Sequence, residues 1–248
     1  MEEKSIADIN YIKEREHEFK RLMLMYNSAL KEMETKIQII SDEFQMLYSY
    51  NPIEHIKTRI KSPESIIRKL KKKGYPMTYR SLVDNLNDVA GVRIICSFIP
   101  DIYIMVEMFE RSTDINIIQK KDYIKAPKDS GYSSYHLIVS VPVSFASGIV
   151  NVKVEIQIRT IAMDFWASLE HKIKYKYSEE LPKNVQKELK ECSKMANKLD
   201  RKMSKLGGNL IEEFEQDMVY NKKNKDKEEK GLNSGTTSFI VNNIIENI

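Results

Sequence analysis

Of 248 residues only two are cysteine, Cys96 and Cys192, and one is tryptophan. Two lone thiols, one of them in an apolar run, exclude a disulfide framework and favour a reducing compartment. No stretch approaches the roughly 20 apolar residues needed to span a bilayer. The acidic start MEEKSIADIN has no apolar signal core, so a cytoplasmic protein with no membrane attachment is expected. Charge of one sign is lacking too. Forty basic against 36 acidic residues leave +4, which admits an anionic ligand without pointing to DNA. Cys and His spacings suited to zinc are missing, and there is no internal repeat. Residues 1–51 contain neither glycine nor proline, and apolar residues from Ile9 to Leu47 recur at helical spacing. That predicts one long helix or two stacked ones.

The most informative stretch is Asn151–His171, NVKVEIQIRTIAMDFWASLEH. Val150, Val152, Val154, Ile156 and Ile158 alternate with Asn151, Lys153, Glu155, Gln157 and Arg159, which predicts a half-buried strand. Thr160 then suits a helix N-cap, with Ile161, Phe165, Leu169 and Ile173 expected inward. Three polar side chains thus meet a helix N-terminus at the end of a strand, a common setting for phosphate or metal chemistry.

Around that stretch, Pro52 breaks the first helix, and Ile53, Ile56 and Ile60 predict a short second one. Ser62-Pro63 starts another that Gly74 ends, carrying Ser65 and Lys69 on one face. Lys71–Lys73 read as a solvated, dipole-complementing cap. Arg59, Lys61 and Lys69 cluster at a helix start, an arrangement that polyphosphate binding would use. Asp88 and Gly91 precede a strand at 92–99, with Gly91 expected to permit a tight entry. Asp88 and Glu155, at ends of two strands, are candidates for the one or two carboxylates a magnesium ion commonly takes. A helix is expected over Pro100–Arg111 and a strand over Ile115–Ile124. The loop containing Lys125, Lys128, Gly131 and Tyr132 offers a flat ring for stacking beside a cation, and His136 falls on the polar side of the strand at 135–143. After the strand at 149–158 and its helix, Leu181-Pro182 opens a last helix with Val185, Leu189, Cys192, Met195 and Leu199 expected inward. Residues 221–235 are charge-dense and predicted disordered, and SFIVNNIIENI at the end is apolar but too short to classify.

Four blocks, RIKSPESIIRK (59–69), DVAGVRI (88–94), DYIKAPKDSGYSSYH (122–136) and EIQIRTIAMDFWASLEHKIKYKY (155–177), occur in the order found in RelA/SpoT synthetases. The chain resembles the small, single-domain alarmone synthetases of this family. The resemblance implies an α+β fold like that of nucleotidyltransferases, a mixed sheet of about five strands flanked by helices. It implies N-terminal helices over 1–51 that pack on the core or on other subunits, a synthetase domain over 52–206, and a C-terminal helix and charged tail over 207–248. The implied activity is that of a GTP pyrophosphokinase, which moves the β,γ-pyrophosphate of ATP to the ribose 3′-hydroxyl of GTP or GDP and leaves AMP. No hydrolase block precedes the synthetase blocks, so hydrolysis of the product is not expected.

By the same resemblance, Arg59 and Arg93 sandwich adenine, as planar guanidiniums can. Lys61, Ser65, Lys69 and Lys121 serve ATP and its phosphates. Asp88 and Glu155 hold Mg²⁺, with Glu155 also the base for the 3′-hydroxyl. Tyr132 stacks on guanine, Lys128 and His136 lie near the acceptor's phosphates, and Gln157 positions the acceptor. Asp164 stands where similar chains have Asn and would face the guanine edge. The family resemblance also implies a homotetramer. Glu34, Gln38 and Ser41 occupy places where basic residues would bind pppGpp as an activator, so such activation is expected to be weak or absent. The competing class is a binding module that holds nucleotide or, weakly, single-stranded RNA without turnover. The full set Asp88, Glu155, Arg59, Lys61 and Lys69 argues against it.

Overall fold

In the computed structural model, residues 6–48, 50–177 and 181–208 are described, with side chains from residue 17 onward. The charged stretch 221–235, the terminal apolar residues and most of the 207–248 segment lie outside them, as do the side chains of Ile9 and Ile12. The strands are β1 (Ile53–Ile60), β2 (Ala90–Cys96), β3 (Asn116–Asp122), β4 (Tyr135–Phe145) and β5 (Gly148–Thr160). They form one sheet in the order β1-β2-β5-β4-β3. β2 and β5 run parallel, and the other neighbours antiparallel, so the sheet is mixed and the fold is α+β.

One face of the sheet is covered. Val152, Val154, Ile156 and Ile158 of β5, Leu137, Val139 and Val141 of β4, and Val92 and Ile94 of β2 share a single core with Tyr26, Leu30, Met33, Ile37 and Phe44. Those last five belong to α1 (Ile6–Leu47), one continuous helix of 42 residues, consistent with a segment free of glycine and proline. α4 (Ile99–Arg111) adds Ile102, Met105, Val106 and Phe109 to the same core. The period-two pattern of β5 therefore fixes which side is dry and which side faces outward.

Several expectations need correcting. Residues 53–60 form an edge strand rather than a helix. Its pairing slips between Ile53 and His55, so Ile53 and Ile56 both turn inward at a spacing of three, which mimics a helical period. Beyond the slip, Ile56 and Ile60 alternate with Lys57 and Arg59 in the ordinary strand manner. Gly91 has no positive φ and is a regular strand residue, not a tight entry. α5 (Ile161–Lys176) buries Met163, Trp166, Ala167 and Glu170, while Ile161, Phe165 and Leu169 are exposed. Both stripes fit a period of 3.6, so spacing alone does not choose between them. α6 (Lys183–Leu206) turns Ser193 and Asp200 inward and leaves Cys192, Met195 and Leu199 exposed. One short helix, α3 (Tyr79–Asn85), was not anticipated. Thr78 caps it by accepting from the Ser81 amide.

The remaining helix, α2 (Pro63–Lys73), follows the expected punctuation. Ser62 Oγ accepts from the Ser65 amide, Pro63 opens the first turn, and Gly74 closes it at φ 69°.

α4 begins around a buried carboxyl. Asp101 Oδ2 accepts from the Phe98 amide at 2.8 Å and from the Tyr50 hydroxyl at 2.7 Å. Burial, with the nearby Glu54 charge, pushes Asp101 up to about 6 against the opposing effect of those two bonds. Because the folded value is raised, its contribution to stability is complete below the ordinary carboxyl range. That contribution is lost as pH climbs through about 6, on the order of 3 kcal/mol in all. Urea unfolding of the wild type should therefore show stability falling between about pH 4 and 6.5. Asp101→Asn should remove most of that slope, and an unchanged slope in the variant would place the titration elsewhere.

Candidate active site

The opposite face of the sheet carries the chemistry. Strand register lays out a transverse row of Lys57 on β1, Arg93 on β2, Gln157 on β5, His136 on β4 and Lys121 on β3. The neighbouring row on the same face is Arg59, Gly91, Glu155, Ile138 and Gln119. Seven of the residues singled out in the sequence, Arg59, Gly91, Arg93, Lys121, His136, Glu155 and Gln157, thus occupy two adjacent rows.

Glu155 lies near the middle. Its Oε1 accepts from His136 Nδ1 at 3.1 Å and its Oε2 from Gln157 Nε2 at 2.8 Å. Burial pushes this carboxyl up, but His136 and Gln157 outweigh burial and hold it below the ordinary carboxylate range. Both bonds lead back to one side chain. Arg159 Nη2 donates to Gln157 Oε1 at 2.9 Å and to the Tyr132 hydroxyl at 2.5 Å, and that hydroxyl lies 2.9 Å from His136 Nε2. The donor order Arg159, Tyr132, His136, Glu155 is satisfied when His136 carries its proton on Nδ1, an assignment made from the network. The result is a closed ring of hydrogen bonds, and Arg159 in it is only 4% exposed. The sequence placed Arg159 among three polar side chains at the strand end beside a helix N-terminus, without a role of its own. Its place at the end of the Glu155-Gln157-Arg159 alternation was the available signal.

On one side of Glu155 lies Asp88. Lys61 Nζ and Lys69 Nζ each approach Asp88 Oδ2 to 2.7 Å, and these two ammoniums outweigh burial to keep Asp88 low. Asp88 and Glu155 are close enough for the charge of Asp88 to raise Glu155. Asp88 Oδ1 is buried with no hydrogen-bond partner. A buried carboxylate oxygen without a partner, among cations and near enough to a second carboxylate to raise it, fits a hard divalent ion that takes its other oxygens from water and phosphate. No cluster of three His, Cys, Asp or Glu side chains suited to a metal occurs among the described residues. Ser65, on the first turn of α2, bonds to Ser62 Oγ and receives Arg68 Nη2 at 3.2 Å.

On the other side lies an aromatic pocket. The rings of Tyr123 and His136 meet edge to face at 5.2 Å, and those of Tyr123 and Tyr132 at 6.2 Å. Lys128 Nζ sits 4.6 Å and 4.8 Å from the two tyrosine centroids. Burial, reinforced by Lys121, Lys174 and Arg159, loosens the hold of Lys128 on its proton. Lys121 therefore belongs with Lys128 and His136. Its strand, β3, is the edge farthest from β1, whereas Lys61 and Lys69, expected to share a phosphate chain with it, flank the β1 side. Tyr123 was not singled out beforehand.

Asp164, on the first turn of α5, joins the two sides. Its Oδ1 receives Arg93 Nη1 at 3.0 Å and Arg159 Nη1 at 3.2 Å. Arg93 is held below the usual arginine range by burial and then by the facing charges of Arg159 and Arg59, which Asp164 partly offsets. Arg93 and Arg59 also line a small cavity of about 200 Å³ with Thr58, Val92 and Gln157.

Cations flanking two carboxylates on an open sheet face are suited to an enzyme that transfers phosphoryl or pyrophosphoryl groups. Comparison with known proteins agrees. Residues 58–180 match the region found in RelA and SpoT proteins. The GTP pyrophosphokinase YwaC of Bacillus subtilis is 48% identical over 199 residues, covering 80% of this chain and 95% of the relative. YjbM of the same organism, also a GTP pyrophosphokinase, is 38% identical over 195 residues, covering 79% and 91%. The solved structure of B. subtilis small alarmone synthetase 1 bound to its product pppGpp superposes with a TM-score of 0.73 at 38% identity, covering 77% of this chain and 97% of that one. The chain belongs to the RelA/SpoT family.

Truncating Asp164 would leave two largely buried guanidiniums facing each other. Asp164→Ala should cost roughly 3 kcal/mol or more in urea unfolding at neutral pH. Asp164→Asn, which keeps one acceptor oxygen but loses the charge, should cost clearly less, and equal losses would show that the charge of Asp164, not its acceptor oxygen alone, holds the arginines.

Proposed function

We infer that this protein is a GTP pyrophosphokinase, transferring the β,γ-pyrophosphate of ATP to the 3′-hydroxyl of GTP or GDP and making pppGpp or ppGpp plus AMP. The observation that carries this reading is a deprotonated, doubly hydrogen-bonded Glu155 standing between a cationic cradle on one side and an aromatic pocket on the other. Relatives that the chain nearly spans bear the same activity in their names.

The donor side takes ATP. Arg59 and Arg93 flank the small cavity as two planar guanidiniums suited to an adenine ring. Lys61 and Lys69, which share the single carboxylate of Asp88, turn to the phosphate chain, and Ser65 offers its hydroxyl at the start of α2. The acceptor side takes the guanine nucleotide, with Tyr132 as the stacking surface, Lys128 and Lys121 as phosphate partners, and Asp164 and Gln157 placing the base and ribose. The 3′-oxygen attacks the β-phosphorus of ATP, its proton passes to Glu155, and the bond to the α-phosphate oxygen breaks to release AMP. His136 and Gln157 keep the Glu155 carboxylate oriented for that proton. Mg²⁺, held by Asp88 and Glu155, would supply charge neutralisation on the phosphates. The residues otherwise act by positioning and electrostatics, as this chemistry requires.

The setting fits a cytoplasmic enzyme. Both cysteines are free, and no helix of the described residues is long and apolar enough to cross a membrane. Exposed Phe165 and Leu169 on α5 and Met195 and Leu199 on α6 support self-association, for which a homotetramer is our reading.

Incubation with ATP, Mg²⁺ and GTP, followed by chromatographic separation, should yield AMP and a 3′-pyrophosphorylated nucleotide. Glu155→Gln should lower turnover by roughly 10²–10⁴-fold while guanine nucleotide still binds. Product formation near the wild-type rate in that variant would refute Glu155 as the base, and binding without product in the wild type would refute the enzymatic reading.

A further inference from the structure

α6 has an unusual inner face. Most of its positions are exposed, Val185, Leu189, Ala196, Asn197 and Ser204 are half-buried, and only two side chains of the 24-residue helix are fully buried, Ser193 and Asp200, each 4% exposed. Both are polar, and they lie seven residues apart on one stripe. A surface helix is ordinarily held by an apolar stripe, whereas the apolar residues Met195, Leu199 and Met203 here point outward.

The two buried side chains reach the acceptor pocket from behind. Ser193 Oγ donates to the Gly131 carbonyl at 2.6 Å. Gly131 takes φ 92°, and a Cβ there would fall 2.7 Å from both Cβ and Oγ of Ser193, so the loop rests directly on the helix. The next residue is Tyr132. Further along, Asp200 Oδ2 accepts from the hydroxyl of Thr160 at 2.7 Å, and Thr160 directly follows Arg159 and caps α5. One turn before Ser193, the Leu189 carbonyl of α6 accepts from Trp166 Nε1 of α5 at 2.9 Å. The region shared with RelA and SpoT proteins ends at residue 180, before α6 begins.

We propose that α6 is a working part of the acceptor site. Ser193 and Asp200 act as positioning residues that fix the Gly131-Tyr132 loop and the Arg159-Thr160 junction in the geometry that receives the guanine nucleotide. The argument rests on the reading of Tyr132 and Arg159 as acceptor-side residues. It does not need any contact between α6 and the nucleotide. Within the loop, Lys128 and Tyr132 close a turn on themselves through Gly131 N to Lys128 O at 2.8 Å and Lys128 N to Tyr132 O at 3.1 Å. That turn sets the shape of the loop but not its place relative to Arg159. The bonds from Ser193 and Asp200 supply the placement, since one helix grips both segments.

The test uses the full-length protein with Ser193→Ala, a change that favours the helix and should fold. Losing one hydrogen bond that orders the loop should raise KM for GTP roughly five- to tenfold, with KM for ATP changed by less than about twofold and the melting midpoint nearly constant. Amides of residues 129–132 should exchange with deuterium faster. Asp200→Ala should behave in the same way, and Asp200→Asn, which can still accept from Thr160, should recover most of the loss. Tyr132→Ala serves as the control for the underlying reading. If it raises KM for GTP while Ser193→Ala leaves both KM and loop exchange at wild-type values, the proposed role of α6 is wrong. If Tyr132→Ala leaves KM for GTP unchanged, the acceptor assignment fails instead, and loop exchange in Ser193→Ala still decides whether α6 holds the loop. Equal rises in both KM values for Ser193→Ala would show general damage and overturn a specific role.

Discussion

The ring of hydrogen bonds that starts and ends on Glu155 organises this molecule. It exists because β5 alternates without a break for its whole length, sending four aliphatic side chains into the core and Glu155, Gln157 and Arg159 to the other face. A bulge anywhere in β5 would turn part of that set inward. Pairing with β2 on one side and β4 on the other then brings Arg93 and His136 into line with Gln157. The carboxylate at the centre is thus oriented by strand register before any ligand arrives. Preorganisation of this kind is what a reaction driven by placement rather than covalent chemistry calls for.

Much of this was legible in the sequence, and the reason differs by element. β5 and the Ser62-Pro63 and Gly74 bounds of α2 were readable because each rests on a local rule: strict alternation, a side-chain cap, or a left-handed closing glycine. Strand β1 was not, since a slip in pairing gave its isoleucines a helical spacing. The inward faces of α5 and α6 were misjudged for a related reason. Each helix carries two stripes compatible with a helical period, and the choice is made by the sheet and by buried polar partners such as Thr160. That β3, which carries Lys121, lies at the far edge of the sheet is likewise not written in the chain.

Arg159 was seen at the end of the polar row but given no role of its own, although its neighbours were all named. Its role appears only when Tyr132, 27 residues earlier in the chain, is folded against it. Long-range pairings of this sort leave no local trace. The same holds for Tyr123 and for Asp164, whose bridging of two guanidiniums depends on the crossing of α5 over the end of β2. Recognition of four ordered sequence blocks identified the parts, and the coordinates added how they are joined.

The pairing of Lys61 and Lys69 on Asp88, and of Arg93 and Arg159 on Asp164, sets one carboxylate against two cations on each side of the pocket, so its positive charge is only half offset. Capture of a nucleotide then combines net attraction with ion exchange, since an arriving phosphate competes with a carboxylate already in place. The net gain per contact is accordingly modest. Discrimination among anions rests on how many displaced partners are satisfied at once, which disfavours small ions that can relieve only one of them.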